Sequence, residues 1–379
     1  MMKTLNKIFC VLLAMLLISG CAQAEDMPVI EDEPRRSVHI RAVGDLMMHE
    51  KQLTDAYQPD GSYDFDPQYM YVVDSLSDAD YTIANLETTV GLYGSQPYSG
   101  YPRFNAPESL LGTIKDSGVD FLTLANNHIL DRYFDGMVIT VDNVEAYGFD
   151  FAGAYRSQAE ADAPVIVEVN GIKIGMLAYT EHTNGMEVHC NPDATVFGVD
   201  YLKDADFKAD VQALRDAGAD IVIAMPHWGT EYVRKPDAYV RTYAEKMIAA
   251  GVDVILGSHP HMVQPIEWVT VETEDGPRTA LVAWSMGNFI DNMKVQYTDS
   301  GIILDFTIVE NEDGSFSVVN VGYVPIYCWR QTDVNQAICS GEYLDERPEG
   351  MNDSTYARMK ESHREIVALI GDEFELLER

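Results

Sequence analysis

Basic residues are scarce in this sequence. Its 379 residues include 26 Lys and Arg against 61 Asp and Glu, a formal net charge of −35. Affinity for a phosphate backbone comes from cationic side chains, and no basic run follows the first few residues. The composition therefore argues against a nucleic-acid partner and against attraction to a bare anionic membrane, leaving only a small phosphate held through a metal. Cysteine is scarce as well: Cys10, Cys21, Cys190, Cys328 and Cys339 are too few for a disulfide-rich scaffold. Cys328 and Cys339 could pair outside the cytoplasm, and spacing alone does not decide it. Internal repeats and low-complexity segments are missing, which removes solenoids and arrays. What is present is 46% hydrophobic residues, enough for a packed core, in a length that suits one large domain or two ordinary ones.

The N-terminus reads as a targeting segment. Lys3 and Lys7 precede an apolar stretch from Ile8 to Ile18 that is short for a bilayer span. It ends in Leu17-Ile18-Ser19-Gly20-Cys21, which resembles a bacterial lipobox and implies cleavage before a lipid-modified Cys21. An ordinary secretory signal is the other reading; either one exports the mature chain. The expectation is an outward-facing lipoprotein held at the membrane through its lipid. An acidic, proline-containing stretch from Ala22 to Arg36 reads as a tether.

From about Ser37, apolar runs alternate with amphipathic stretches, the pattern of α/β or α+β architecture. Strands are predicted over 38–43, 81–84, 121–125, 221–225, 252–256 and 279–284, and helices over 68–80, 107–118, 135–148, 204–218, 237–251 and 356–377. Two hairpins are expected, at Asn170-Gly171 and at Asp313-Gly314. Polar residues cluster where the strands end. Asp45 follows the first strand, Asn85 and Glu87 the second, and Asn126-Asn127-His128 the third. His227-Trp228-Gly229 and Gly257-Ser258-His259-Pro260-His261 follow two later ones. In open α/β sheets ligands bind at that edge. Asp45, Glu87, Asn127, His227, His259 and His261 are carboxylate, amide and imidazole donors, more than one tetrahedral ion uses. They predict two divalent ions bridged by a carboxylate and a water.

These stretches, with Gly44-Asp45-Leu46-Met47, Asn85-Leu86-Glu87, His128-Ile129-Leu130-Asp131, Met262-Val263-Gln264-Pro265 and Ser285-Met286-Gly287-Asn288-Phe289, resemble the CapA family of poly-γ-glutamate capsule proteins, itself similar to the calcineurin-like metallophosphatases. The resemblance covers roughly Val38 to Asp291. It implies a four-layer α/β/β/α sandwich of metallophosphatase type with a dinuclear metal site at one edge. The expected organisation is a signal peptide (1–20), a tether (21–36), this domain (37–330) and a C-terminal extension (331–379) ending in an amphipathic helix. The resemblance places Asp45 and His261 on one metal, Asn127, His227 and His259 on the other, and Glu87 between them. His128 falls where the pattern has a histidine that protonates the leaving group or steadies the phosphoryl oxygens, so His128 and Asp45 are the expected catalytic residues. Two departures stand out. Met47 occupies the position of an expected metal-ligating histidine, with His49 nearby, and the bridging residue is Glu87 rather than an aspartate.

Arg103, Asn85, His182 and Asn288 are expected to contact substrate; Arg103 suits a carboxylate or phosphate. The ions, Mn, Fe, Zn or Mg, would supply the nucleophile and clamp developing charge. The expected function is metal-dependent hydrolysis or transfer in capsule or poly-γ-glutamate biosynthesis, on a phosphoester or the anionic polymer. A non-catalytic partner of a membrane polymer-synthase complex, handling or exporting the polymer, is the alternative.

Overall fold

The structure, a computed structural model, describes residues 35–91, 97–331 and 334–379. The targeting segment, Cys21 and nearly all of the expected tether lie outside the described residues. No described helix is long and apolar enough to cross a membrane.

Among the described residues, fifteen strands form two sheets. The first contains β1 (Ser37–Leu46), β2 (Tyr81–Leu86), β3 (Phe121–Thr123) and β4 (Asp150–Ala152). The second contains β5 (Ile166–Val169), β6 (Ile172–Thr180), β7 (Ile221–His227), β8 (Val254–Leu256), β9 (Ile266–Thr273) and β10 (Gly276–Ala283). The chain then returns to the first sheet through β11 (Asn288–Ile290), β12 (Ser300–Glu310), β13 (Phe316–Arg330), β14 (Asn335–Cys339) and β15 (Glu375–Leu376). The first sheet runs β14-β13-β12-β1-β2-β3-β4, with β11 beside β1 and β15 beside β13; the second runs β5-β6-β7-β8-β10-β9.

The layering follows from alternation along each strand. Val38, Ile40 and Ala42 of β1 and Ile302, Leu304 and Phe306 of β12 face Ile174 and Met176 of β6 and Ile221, Ile223 and Met225 of β7, forming the core between the sheets. The opposite face of the first sheet, with Ala84, Leu86 and Leu122, packs on Leu110, Leu111 and Ile114 of the Ser109–Asp116 helix and on Met137, Val141 and Val144 of the Tyr133–Ala146 helix. The outer face of the second sheet, with Val222, Ala224 and Val282, packs on the Phe207–Asp216 and Ala238–Ala250 helices. Helix, sheet, sheet, helix is the expected four-layer α/β/β/α order.

Both hairpins form, with Asn170 and Gly171 each at positive φ, 51° and 75°. Several expectations need correction. The 68–80 stretch is two short helices, Asp66–Tyr69 and Val73–Ser77, rather than one. The C-terminal helix spans Asp353–Ile370 and ends at Gly371, φ 80°, instead of continuing to Leu377. Strand β9 had no counterpart in the expected elements; it alternates half-buried and exposed residues along the sheet edge, so its apolar content is diluted. Cys190, Cys328 and Cys339 are free thiols. Cys339 stands opposite Ile326 and Cys328 opposite Ala337, so the strand register keeps the two apart.

Candidate metal centre

Strands β1, β2 and β3 are mutually parallel, as are β6, β7 and β8, so their C-terminal ends gather the polar residues. Asp45 and Asn85 are the penultimate residues of β1 and β2 and pair in register, and His227 is the last residue of β7. Two glycines allow the close approach. A Cβ on Gly44 would stand 1.9 Å from the Gly287 carbonyl oxygen; instead the Asp45 N–H donates to that oxygen at 3.0 Å, which sets Asp45 beside Asn288. A Cβ on Gly257 would meet the Trp284 carbonyl at 2.1 Å. Beyond Gly257 the chain turns sharply, with His259 and His261 at φ 97° and 56°, sparsely populated conformations that concentrate at functional sites.

The donors form two nests on either side of Glu87. In one, His227 Nε2 lies 2.9 Å from Asn127 Oδ1, 3.1 Å from His259 Nδ1 and 3.6 Å from Glu87 Oε1. In the other, His261 Nδ1 lies 3.1 Å from Asp45 Oδ2 and 3.0 Å from Asn288 Oδ1, while its Nε2 is 3.7 Å from Glu87 Oε1. Ligand atoms of Glu87, His259 and His261, and of Asp45, Glu87 and His227, are each within 4.8 Å of one another.

The electrostatics suit a cation. Glu87 is fully buried and neither carboxylate oxygen accepts a hydrogen bond, a condition expensive for the ionised form, which either a proton or a cation relieves. Burial first, and the Asp45 charge second, push its pKa well above the carboxylate range. Burial and the neighbouring imidazoles hold His227 and His259 far below the usual histidine value, which keeps both rings neutral, the form that can bind a metal. At His261 burial opposes the charge, but Glu87 and the Asp45 hydrogen bond outweigh it and push the pKa up to about 10. Two adjacent buried carboxylates, neutral imidazoles and amide oxygens are the donor chemistry of a divalent ion, and the unpartnered Glu87 oxygens fit one.

The other expected residues divide. Asn85 is buried and its amide donates to Asp45 Oδ1 at 2.8 Å while standing 3.3 Å from His227 Nδ1, so it fixes two donors. His128 is buried, and its Nδ1 donates to Asp131 Oδ2 at 2.7 Å, because a carboxylate only accepts; this leaves Nε2 as the other reactive position. His182 stands at the exposed rim, edge-on to His259 with ring centroids 5.3 Å apart. Arg103 bonds the Asp131 carbonyl and lies over the Tyr133 ring, 4.6 Å from its centroid. His49 does not join the donors: its backbone N–H donates to Gln52 at the start of the Glu50–Ala56 helix, and its Nδ1 accepts from Asn292 N–H at 3.3 Å. Met47 is buried.

Other residues, given no role by the sequence, hold the donors in place. Asp131 holds His128, Ser258 Oγ lies 2.9 Å from His227 Nδ1, and Asn126 donates to the Leu86 carbonyl at 2.8 Å. Asp291, fully buried, accepts from Asn288 and from Arg330. The spacing of three from His128 to Asp131 and from Asn288 to Asp291 was the available signal.

The profile of the family described as "Bacterial capsule synthesis protein PGA_cap" matches residues 39–293, which include every donor above. The chain is 27% identical over 332 residues to the capsule biosynthesis protein CapA of Bacillus anthracis, covering 80% of this chain and 75% of that protein. It is 26% identical over 284 residues to the PGA biosynthesis protein CapA of Bacillus subtilis, covering 74% and 70%. Among solved structures it is similar to the calcineurin-like phosphoesterase YfkN of Bacillus subtilis, with TM-score 0.41 and 14% identity over 88% of this chain and 99% of that one.

Proposed function

The chain belongs to the bacterial capsule synthesis protein family PGA_cap, and we propose that it serves capsule or poly-γ-glutamate biosynthesis as a metal-dependent hydrolase or transferase. The observation that carries this reading is Glu87, a buried carboxylate with no hydrogen-bond donor, set between two groups of side chains that offer metal-binding atoms. A divalent ion bound there supplies a Lewis acid and an activated water. Asp45 and His261 would hold one ion, Asn127, His227 and His259 a second, and Glu87 both. His128, its Nδ1 proton committed to Asp131, is oriented to exchange a proton at Nε2 with a leaving group. His182 lines the approach.

An anionic substrate meets a chain of net charge −35, so attraction has to be focused at the ions rather than spread over the surface. The non-catalytic reading draws on a different observation: Arg103 is engaged by the Asp131 carbonyl and Tyr133, and Met47 replaces a ligand. In that reading the centre would hold a polymer carboxylate for a membrane synthase without cleaving it. Export and lipid attachment at Cys21 form part of the proposal and rest on the N-terminal sequence alone.

The test is to strip and reload the purified chain with Mn2+ or Zn2+ and assay phosphomonoesters, phosphodiesters and γ-glutamyl peptides. Metal-dependent turnover that His259→Ala abolishes supports the enzyme. Bound metal with no turnover, together with capsule loss in the His259→Ala strain, supports the polymer-handling role. No bound metal and no effect of His259→Ala refutes both.

A further inference from the structure

The proposed first metal position lacks a ligand, since the residue two after Asp45 is the thioether Met47. A hard divalent ion held by oxygen and nitrogen gains little from that sulfur. We infer that Asn288 supplies the missing ligand through its side-chain carbonyl oxygen, so that Asp45, His261 and Asn288 hold one ion together with Glu87. The inference rests on the metal-centre reading above and concerns a residue first taken for a substrate contact.

The orientation of the Asn288 amide is fixed by its surroundings. Its Nδ2 donates to Asp291 Oδ2 and to the Thr298 carbonyl, each at 3.0 Å. Both partners can only accept, and an amide has two N–H bonds to give. The nitrogen is thereby used up, and Oδ1 must face the opposite way, toward His261 Nδ1 at 3.0 Å. Asp291 is itself anchored by Arg330 at 2.7 Å and by the Met293 N–H at 2.8 Å. The amide is therefore held by a rigid, fully buried set of partners.

On the Oδ1 side there are too many lone pairs. Among the described residues, His261 Nδ1 is the one donor reaching Asn288 Oδ1, and it is also the one donor reaching Asp45 Oδ2. A single N–H cannot serve both oxygens well. Next to them Glu87 offers two further oxygens with no donor at all. A cation satisfies all of these lone pairs at once. The 3.0 and 3.1 Å separations of the two oxygens from His261 Nδ1 are short enough for one cation to touch all three atoms once it displaces the Nδ1 proton. The backbone builds the arrangement directly, because β11 runs beside β1 with Asn288 in register with Asp45.

The experiment compares the full chain with Asn288→Ala and His227→Ala by calorimetric titration with Mn2+. It also locates the ions by anomalous scattering in crystals of the unaltered chain soaked in Mn2+. The expected result is an ion about 2.2 Å from Asn288 Oδ1, and loss of one binding event, or a weakening of about 10-fold or more, in Asn288→Ala. The event lost in His227→Ala should be the other one. An ion at Glu87 that lies beyond about 3 Å from Asn288 Oδ1 overturns the inference while leaving the metal-centre reading intact. So does a titration in which Asn288→Ala matches the unaltered chain. Crystals with no ion near Glu87 overturn both. The crystallographic arm needs no substitution, so it decides the matter even if Asn288→Ala fails to fold.

Discussion

Replacing Glu87 with glutamine should have opposite effects on the metal-free and metal-loaded protein. Without metal, the Glu87 oxygens are buried and accept nothing, and an unsatisfied buried group costs about 1–3 kcal/mol, more if charged. Glutamine has nearly the same shape, no charge, and both a carbonyl oxygen and N–H groups, so it can accept from or donate to the His227 and His261 Nε2 atoms, both within 3.7 Å of Oε1. Metal-free Glu87→Gln should therefore be more stable by about 1–3 kcal/mol. At about 2.1 cal/mol/K per residue of unfolding entropy over about 345 residues, each kcal/mol is about 1.4 °C, so the melting temperature should rise by about 1.5–4 °C. With metal at about 1,000 times its dissociation constant, the unaltered protein gains about 4 kcal/mol, or about 6 °C, by mass action for each ion bound. The variant, having lost the shared ligand, should gain little. Scanning calorimetry in EDTA and in Mn2+ reads both effects. A metal-free Glu87→Gln that melts lower, together with an undiminished response to metal, would refute the reasoning.

Gly257→Ala should push the turn carrying His259 and His261 away from the Trp284 carbonyl, 2.1 Å from the added Cβ, and weaken Mn2+ binding by about 10-fold or more, read by titration. Arg330→Met leaves Asp291 buried without its ion pair and should cost about 3–5 kcal/mol in chemical denaturation; an unchanged midpoint would contradict the role given to that pair. Asp200, bonded by Tyr155 OH at 3.0 Å, has its pKa pushed by burial up to about 7. Its folded value is raised, so its favourable contribution is complete at acid pH and is lost as pH rises through about 7. Asp200→Asn should flatten that decline between the ordinary carboxylate range and about pH 7 in equilibrium unfolding, and an unaltered slope would count against it.

Much of the layering was legible because period-two alternation names the face of each strand. Val38, Ile40 and Ala42 announce the inter-sheet core, and Asn170-Gly171 announces its hairpin. Edge strands were harder: β9 buries little, and β14 is a short strand whose place depends on pairing with β13. The donor types were legible as polar residues ending apolar runs, and the structure brings Asp45, Glu87, Asn127, His227, His259 and His261 together. Which side chains orient the donors was not legible. Asn85, Asp131 and Asp291 act through hydrogen bonds across strands or turns, and one-dimensional spacing does not show the direction of an amide. The same limit hid the orientation of Asn288, whose N–H groups are committed to Asp291 and Thr298. Arg103 is turned to a backbone carbonyl by local geometry that its composition does not encode.

The central claim is that Glu87 sits at the middle of a divalent metal centre. Elemental analysis of the full chain, purified without chelator and again after stripping and reloading with Mn2+, tests it most directly. The account predicts two ions per chain, with both losing affinity in Glu87→Gln. A chain that retains no metal under either condition, or whose metal content is indifferent to Glu87→Gln, contradicts it.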